Sequence, residues 1–228
     1  VEEFVHASYP LDAAAVLLVE SDGTPEEVES EMGEIRRVLA ENGASSIRVS
    51  RDERERLLLW SGRKAAFPAV GRISPDYYCM DGTIPRGALP HVLKRISEMS
   101  AEYGLAVANV FHAGDGNLHP LLSFDRSVPG TLERVLRASE EIVRLCVEAG
   151  GALSGEHGIG LEKRDFMPLV FSAEDLSAQA CVRSAFDPEG RMNPQKMLPD
   201  GARCGDFAMA RGSDAADVAA DLPEGSWI

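Results

Sequence analysis

The stretch "NVFHAGDGNLHPLLSF", Asn109–Phe124, places two apolar segments on either side of a turn. Asp115-Gly116 is a strong two-residue turn signal, so the stretch predicts a β-hairpin. With these two residues as the turn, His112 pairs directly with His119. Directly opposed side chains lie on one face of the hairpin, with Cβ atoms about 4.5–5.5 Å apart. The spacing therefore predicts two imidazoles that can share a metal ion. The alternative is a purely structural pair of polar side chains.

The rest of the chain alternates strands and helices. Thr24 and Pro25 begin a helix that Asn42-Gly43 ends, and predicted strands at Ala13–Gly23 and Ser45–Ser50 flank it. Later segments predict helices within 51–72, 86–104, 129–150 and 173–186, and a strand over 76–85. Because the strands are joined by hairpins rather than by regular crossovers, the order favours an α+β fold. We expect a mainly antiparallel sheet with helices packed on one face.

Length and composition limit the classes of function. The 228 residues carry a net charge of −14, which argues against nucleic-acid binding. No apolar run approaches the roughly 18 residues of a membrane span, so we expect no transmembrane segment, and the N-terminus lacks a secretory signal. The four cysteines are far apart and form no CxxC motif, which favours a cytoplasmic setting. The chain does not begin with Met, and we expect a fragment of a longer protein. We predict one domain over residues 1–198 and a loosely packed tail over 199–228.

A second stretch, "GGALSGEHGIGLEKR" (Gly150–Arg164), sets Glu156 and His157 among glycines. So many glycines indicate either a special backbone conformation or a flexible connection. Together with His112 and His119, Glu156 would complete a ligand set suited to Zn²⁺, Mn²⁺ or Fe²⁺. His157 would then be a general base. The opposite assignment, with His157 as ligand and Glu156 as base, is equally compatible with the spacing.

Arg63 is a candidate for substrate binding. It follows Trp60 by about one helical turn in "LLLWSGRKAAFPAVGR". A guanidinium group matches both oxygens of a carboxylate, although a solvated surface arginine is the simpler interpretation.

The motifs "FHAGDGNLHP" and "GEHGIGLEK" resemble the paired signatures of FAD-linked oxidases of the vanillyl-alcohol oxidase superfamily. "WSGRKAAFPAVGRISPDYYCMDGTIPR" is similar, more narrowly, to the D subunit of bacterial glycolate oxidases. The resemblance covers about Val5 to Leu198. It implies a ferredoxin-like cap domain that covers the substrate beside a flavin, with FAD bound mainly by an N-terminal domain outside this chain.

The resemblance also implies roles for individual residues. His112, His119 and Glu156 correspond to the ligands of a divalent metal, and His157 to the base that takes the hydroxyl proton as hydride leaves C2. Arg63 corresponds to the residue that holds the substrate carboxylate. Asn193, in "NPQK", corresponds to a cofactor contact, although the family has "NPGK" at this point.

Two departures from the 2-hydroxyglutarate relatives concern the substrate. Cys79 stands where those relatives have a lysine, and Phe67 where they have a small polar residue. The resemblance therefore implies a short 2-hydroxy acid, glycolate or D-lactate. It also implies a sister flavin subunit and an iron–sulfur subunit as partners, through which the protein would lie at the inner membrane. The alternatives from other classes are a metal-dependent hydrolase and a non-catalytic assembly module.

Overall fold

The structure, a computed structural model, describes residues 1–199. The chain separates into two compact units, Val1–Arg72 and a second unit that begins at Ile73. A single domain over 1–198 stays a prediction. Apart from Pro199, the predicted tail over 199–228 lies outside the described residues.

The first unit is helical. Its helices are α1 (Glu2–Val5), α2 (Pro25–Glu41), α3 (Glu53–Lys64) and α4 (Ala66–Val70). Helix α2 begins where the sequence predicts, because the Thr24 hydroxyl accepts the Glu27 N–H while the Glu27 carboxylate accepts the Thr24 N–H. This reciprocal pair satisfies two backbone donors that the first turn would otherwise leave without a partner.

The two strands predicted in this unit are absent. The structure assigns no strand to residues 13–23 or 45–50. Val16 and Leu17 in the first run are 52% and 58% exposed. A strand is stabilised by the ladder that it shares with a neighbour and by burial of one face. An apolar run that has neither within its unit does not become a strand.

The second unit contains an antiparallel sheet. Its strands are β1 (Asp76–Cys79), β2 (Gly82–Thr83), β3 (Ala106–His112) and β4 (Asn117–Phe124). Strand β4 is central, with β3 along one edge and β1 and β2 in succession along the other. Cys79 lies opposite Leu121 and Gly82 opposite Leu118, so β1 and β2 keep one register. Counting in that register places Asp81 opposite His119.

Helices pack on one face of this sheet. Helices α5 (Leu89–Tyr103) and α6 (Thr131–Glu148) form the core with alternate residues of β4, including Leu118, Leu122 and Phe124. Because successive side chains of a strand alternate between faces, His119 points to the other face. The α+β class with an antiparallel sheet is confirmed, while the ferredoxin-like topology stays a prediction. The unit also contains α7 (Gly160–Lys163), α8 (Ala173–Phe186) and 3₁₀ turns at Arg86–Ala88 and Arg164–Leu169.

The hairpin forms, but its predicted register is wrong. His112 lies opposite Asn117, and His119 lies opposite Val110, so four residues, 113–116, form the loop. The turn closes on His112, whose carbonyl accepts the N–H groups of both Asp115 and Gly116. The pairing shifts by two positions. An even shift leaves each side chain on its face, so both imidazoles still share one side of the sheet.

We expect Gly116→Ala to destabilise the protein. Gly116 has a φ of 72°, and an added Cβ would lie 2.0 Å from the Ile84 carbonyl oxygen. Strain of this kind costs about 1–3 kcal/mol of the free energy of unfolding, which urea denaturation measures. Gly114→Ala is the matched control in the same loop, because its Cβ would meet nothing within 4 Å. Equal stabilities of the two variants would contradict this account of the turn.

Candidate metal centre

His112, His119 and Glu156 meet on the sheet face opposite α5 and α6. The Glu156 Oε1 atom lies 2.9 Å from the His119 Nε2 atom and 3.8 Å from the His112 Nε2 atom. One donor atom from each residue lies within 4.8 Å of the other two. Two imidazoles and one carboxylate form a donor set that fits Zn²⁺, Mn²⁺ or Fe²⁺. The structure thus brings together the three side chains that the sequence selects.

His119 is the buried member of this set. Its side chain is 2% exposed, whereas His112 and Glu156 are 44% and 54% exposed. Burial lowers the pKa of His119, and the nearby His157 lowers it further, against the opposing effects of Asp81 and Glu156. The lowered pKa favours a neutral imidazole, the form that binds metal ions.

His157 lies beside the set. Its exposed ring stacks on His119 with centroids 5.0 Å apart and an angle of 26° between the planes. A carboxylate oxygen of Glu156, rather than a ring nitrogen of His157, lies within 4.8 Å of donor atoms of both hairpin histidines. This geometry favours the assignment of Glu156 as ligand and leaves the His157 ring exposed beside it.

Asp81 holds the glycine-rich loop in place, a role that the sequence analysis missed. Its side chain is buried in the gap between β1 and β2. The carboxylate accepts hydrogen bonds from the Ser154 hydroxyl, the Lys163 ammonium group and the backbone N–H groups of Gly155, Glu156 and His157. One side chain of the sheet thereby fixes the backbone on which both Glu156 and His157 are carried.

The Asp81–Lys163 pair is buried at both ends. The Lys163 Nζ atom donates to the Asp81 Oδ2 atom at 3.0 Å and to the Asp81 carbonyl at 2.7 Å. Burial by itself would raise the pKa of Asp81, but hydrogen bonds from Ser154, from the His157 N–H and from Lys163 lower it by more. The net effect is a pKa well below the usual range. The sequence contained a signal for this role, because Asp81 lies within a predicted apolar strand and a charge that is buried there requires a partner.

Gly155 allows the loop to approach β4. A Cβ at this position would lie 2.4 Å from the Asn117 Oδ1 atom. Gly158, on the other side of Glu156 and His157, has a φ of 82°. These two glycines therefore serve a close approach and a left-handed backbone, as one of the two interpretations of the sequence predicts.

The other two predicted site residues lie elsewhere in the chain. Arg63 is in the last turn of α3, in the first unit. Asn193 follows α8 and has a φ of 44°, and its carbonyl accepts a hydrogen bond from Arg183 at 3.2 Å. Their roles toward a substrate carboxylate and a flavin stay predictions.

Comparison with known proteins gives consistent matches. The family model "FAD linked oxidases, C-terminal domain" matches residues 1–197. Glycolate oxidase subunit GlcD of Escherichia coli K12 is 52% identical over 90% of this chain and 41% of its own length. The Bacillus subtilis GlcD is 34% identical over 89% of this chain and 43% of its own. A probable mitochondrial D-lactate dehydrogenase of Danio rerio is 27% identical over 80% of this chain and 37% of its own length. The chain spans about two fifths of the length of these relatives.

We expect Asp81→Asn to lower the free energy of unfolding by about 3–5 kcal/mol, because it leaves the buried Lys163 charge without its counter-ion. Urea denaturation measures the change. Glu133→Gln is the matched control, since Glu133 forms an exposed ion pair with Arg137 and should contribute little. If the two variants were equally stable, the buried pair would not be the main support of the loop.

The stability of the Asp81→Asn variant should also depend less on pH in acid than the stability of the wild-type protein. Because the folded-state pKa of Asp81 is lowered, its contribution to stability is present above the ordinary carboxyl pKa of about 3.9 and is lost as the pH falls below that value. The wild-type protein should therefore lose more stability than Asp81→Asn between about pH 4 and pH 2.5. Parallel stability curves for the two proteins would contradict the lowered pKa.

Proposed function

The chain belongs to the FAD linked oxidase C-terminal domain family, and from that membership we propose that it is the metal- and substrate-binding part of an FAD-dependent 2-hydroxy-acid oxidoreductase. The observation that carries the proposal is the convergence of His112, His119 and Glu156. Hairpin and loop are about 40 residues apart in the chain, and Asp81 holds the loop at that position. A structural histidine pair alone would not require an anchored carboxylate between the two rings.

The cofactors supply two separate kinds of chemistry. A divalent ion, when bound, would lower the pKa of a substrate hydroxyl group, and FAD, bound mainly by a domain outside this chain, would accept the hydride from C2. The residues of this chain provide the ligands His112, His119 and Glu156 for that ion. Asn193 is the proposed contact to FAD.

His157 is the proposed catalytic base. Its ring is exposed beside the donor set, and its backbone N–H is held by the Asp81 carboxylate at 3.0 Å. An imidazole accepts a proton near neutral pH, which suits the removal of a hydroxyl proton. Arg63 is the proposed partner of the substrate carboxylate, because a guanidinium group binds both oxygens and thereby orients C2.

The proposed substrate is a short 2-hydroxy acid, glycolate or D-lactate. The relatives named glycolate oxidase subunit and D-lactate dehydrogenase support this class. Cys79 and Phe67 supply no second cation for a dicarboxylate at their positions.

The proposed partners are a sister flavin subunit and an iron–sulfur subunit, and the word "subunit" in the relatives' name supports a multi-subunit enzyme. Within residues 1–199, the structure contains no helix that could span a membrane. The proposed location is the cytoplasm, with attachment to the inner membrane through the partner subunits.

We predict that His157→Ala in the full-length protein lowers kcat for glycolate about 10²–10⁴-fold, the usual contribution of a general base. Steady-state kinetics with an artificial electron acceptor measure the change. His91→Ala is the matched control, because His91 is an exposed histidine of α5. The visible flavin spectrum and the metal content should stay as in the wild-type protein. Wild-type kcat in His157→Ala would show that the base is assigned wrongly.

We predict that the purified full-length protein contains about one divalent ion per chain at this donor set. Elemental analysis should show that Glu156→Gln and His112→Ala lose the ion, while Glu140→Gln, which alters an exposed pair with Arg144, keeps it. A protein without metal would favour the assembly module. Hydrolysis by a metal-loaded protein without flavin would favour the hydrolase.

A further inference from the structure

Cys79 lies close to the candidate metal centre, although it belongs to a different strand from both hairpin histidines. Its Sγ atom and one ring nitrogen each of His119 and His157 lie within 4.8 Å of one another. We propose that Cys79, His119 and His157 form a second metal-binding set, which takes a soft divalent ion such as Zn²⁺ and shares His119 with the first set.

Sheet register explains why these three side chains meet. Cys79 lies opposite Leu121, two positions along β4 from His119, and alternate residues of a strand share a face. His157 reaches the same place from the loop, where its ring stacks on His119. Two paired strands and the loop anchored by Asp81 therefore hold the three donors without contribution from His112 or Glu156.

The two sets differ in chemical softness. Thiolate sulfur and imidazole nitrogen are both zinc ligands, and the sulfur makes this set softer than a carboxylate with two imidazoles, which also suits Mn²⁺ and Fe²⁺. Burial, with Asp81 and Glu162 nearby, raises the pKa of Cys79 to about 11. The Cys79 Sγ atom donates weakly to the Met80 carbonyl at 3.5 Å. A zinc ion that binds there forms a zinc–sulfur bond and releases the thiol proton to solvent.

Occupation of the second set has a consequence for the reaction, which rests on the proposed function. An imidazole nitrogen that binds zinc no longer accepts a proton. Excess zinc should therefore inhibit the enzyme by removing His157 from its role as base.

X-ray absorption at the zinc K-edge tests the binding directly. With one and then two equivalents of Zn²⁺, the full-length protein should show a sulfur scatterer at about 2.3 Å beside nitrogen scatterers at about 2.0–2.1 Å. Cys79→Ser should lose the sulfur shell. Cys146→Ala is the matched control, since it removes a buried thiol on the helix-covered side of the sheet, and it should keep the shell. His112→Ala, which alters only the first set, should keep it as well.

Thiol labelling gives an independent measurement on the unaltered protein. Zinc should reduce alkylation of Cys79, as mapped by peptide mass spectrometry, and Mn²⁺ should not. A sulfur shell that persists in Cys79→Ser, a spectrum with only nitrogen and oxygen scatterers, or equal labelling with and without zinc would overturn the second set.

An activity assay separates this inference from the proposed function. Excess zinc should inhibit the wild-type enzyme, and Cys79→Ser should lose that inhibition when each protein is compared with itself in Mn²⁺ alone. A protein that binds zinc through sulfur but oxidises no 2-hydroxy acid would overturn the proposed function and support the second set. An active enzyme without the sulfur shell would overturn the second set alone.

Discussion

The Asp81 carboxylate is the interaction on which the candidate site depends. It lies buried in the sheet and receives hydrogen bonds from three consecutive backbone N–H groups of the loop that carries Glu156 and His157. A buried carboxylate without partners would be very costly, so loop and sheet stabilise each other. Lys163 compensates the charge at 3.0 Å. The positions of two side chains of the candidate site are thus fixed by Asp81 and Lys163, which need not touch a substrate.

Strand β4 divides the second unit into an apolar side and a polar side. Leu118 and Leu122 face α5 and α6 and belong to the core, while His119 faces the other way beside Asp81 and Cys79. Pro120 lies between His119 and Leu122 in β4 and has no backbone N–H group to donate. The hydrogen-bond ladder that β4 forms with β1 and β2 is therefore interrupted near Asp81. The same period of two that builds the core therefore places the side chains of the candidate site on one surface.

Much of the site was visible in the motifs, and parts of the fold were not. The family resemblance is confirmed, and the hairpin and the capped helix α2 form where the sequence predicts them. The strand predicted over 13–23 failed because apolar composition does not supply a ladder partner. The hairpin register failed because the turn closes on His112 and Asn117, so the loop is two residues longer than the predicted Asp115-Gly116 turn. The wrong register does not change which side chains form the candidate site, because a shift of two positions leaves every side chain on the same face of the sheet.

The family, the hairpin and the residue types available for metal binding follow from local motifs, because turn residues and alternating patterns act over a few neighbouring positions. The contact of Asp81 with Lys163, 82 positions away, and the meeting of Cys79 with His119 and His157 follow only from the folded chain. A local pattern specifies which face a side chain takes. It does not specify which distant segment will pack against that face, since that depends on the whole sheet and on the charges that must be paired inside it.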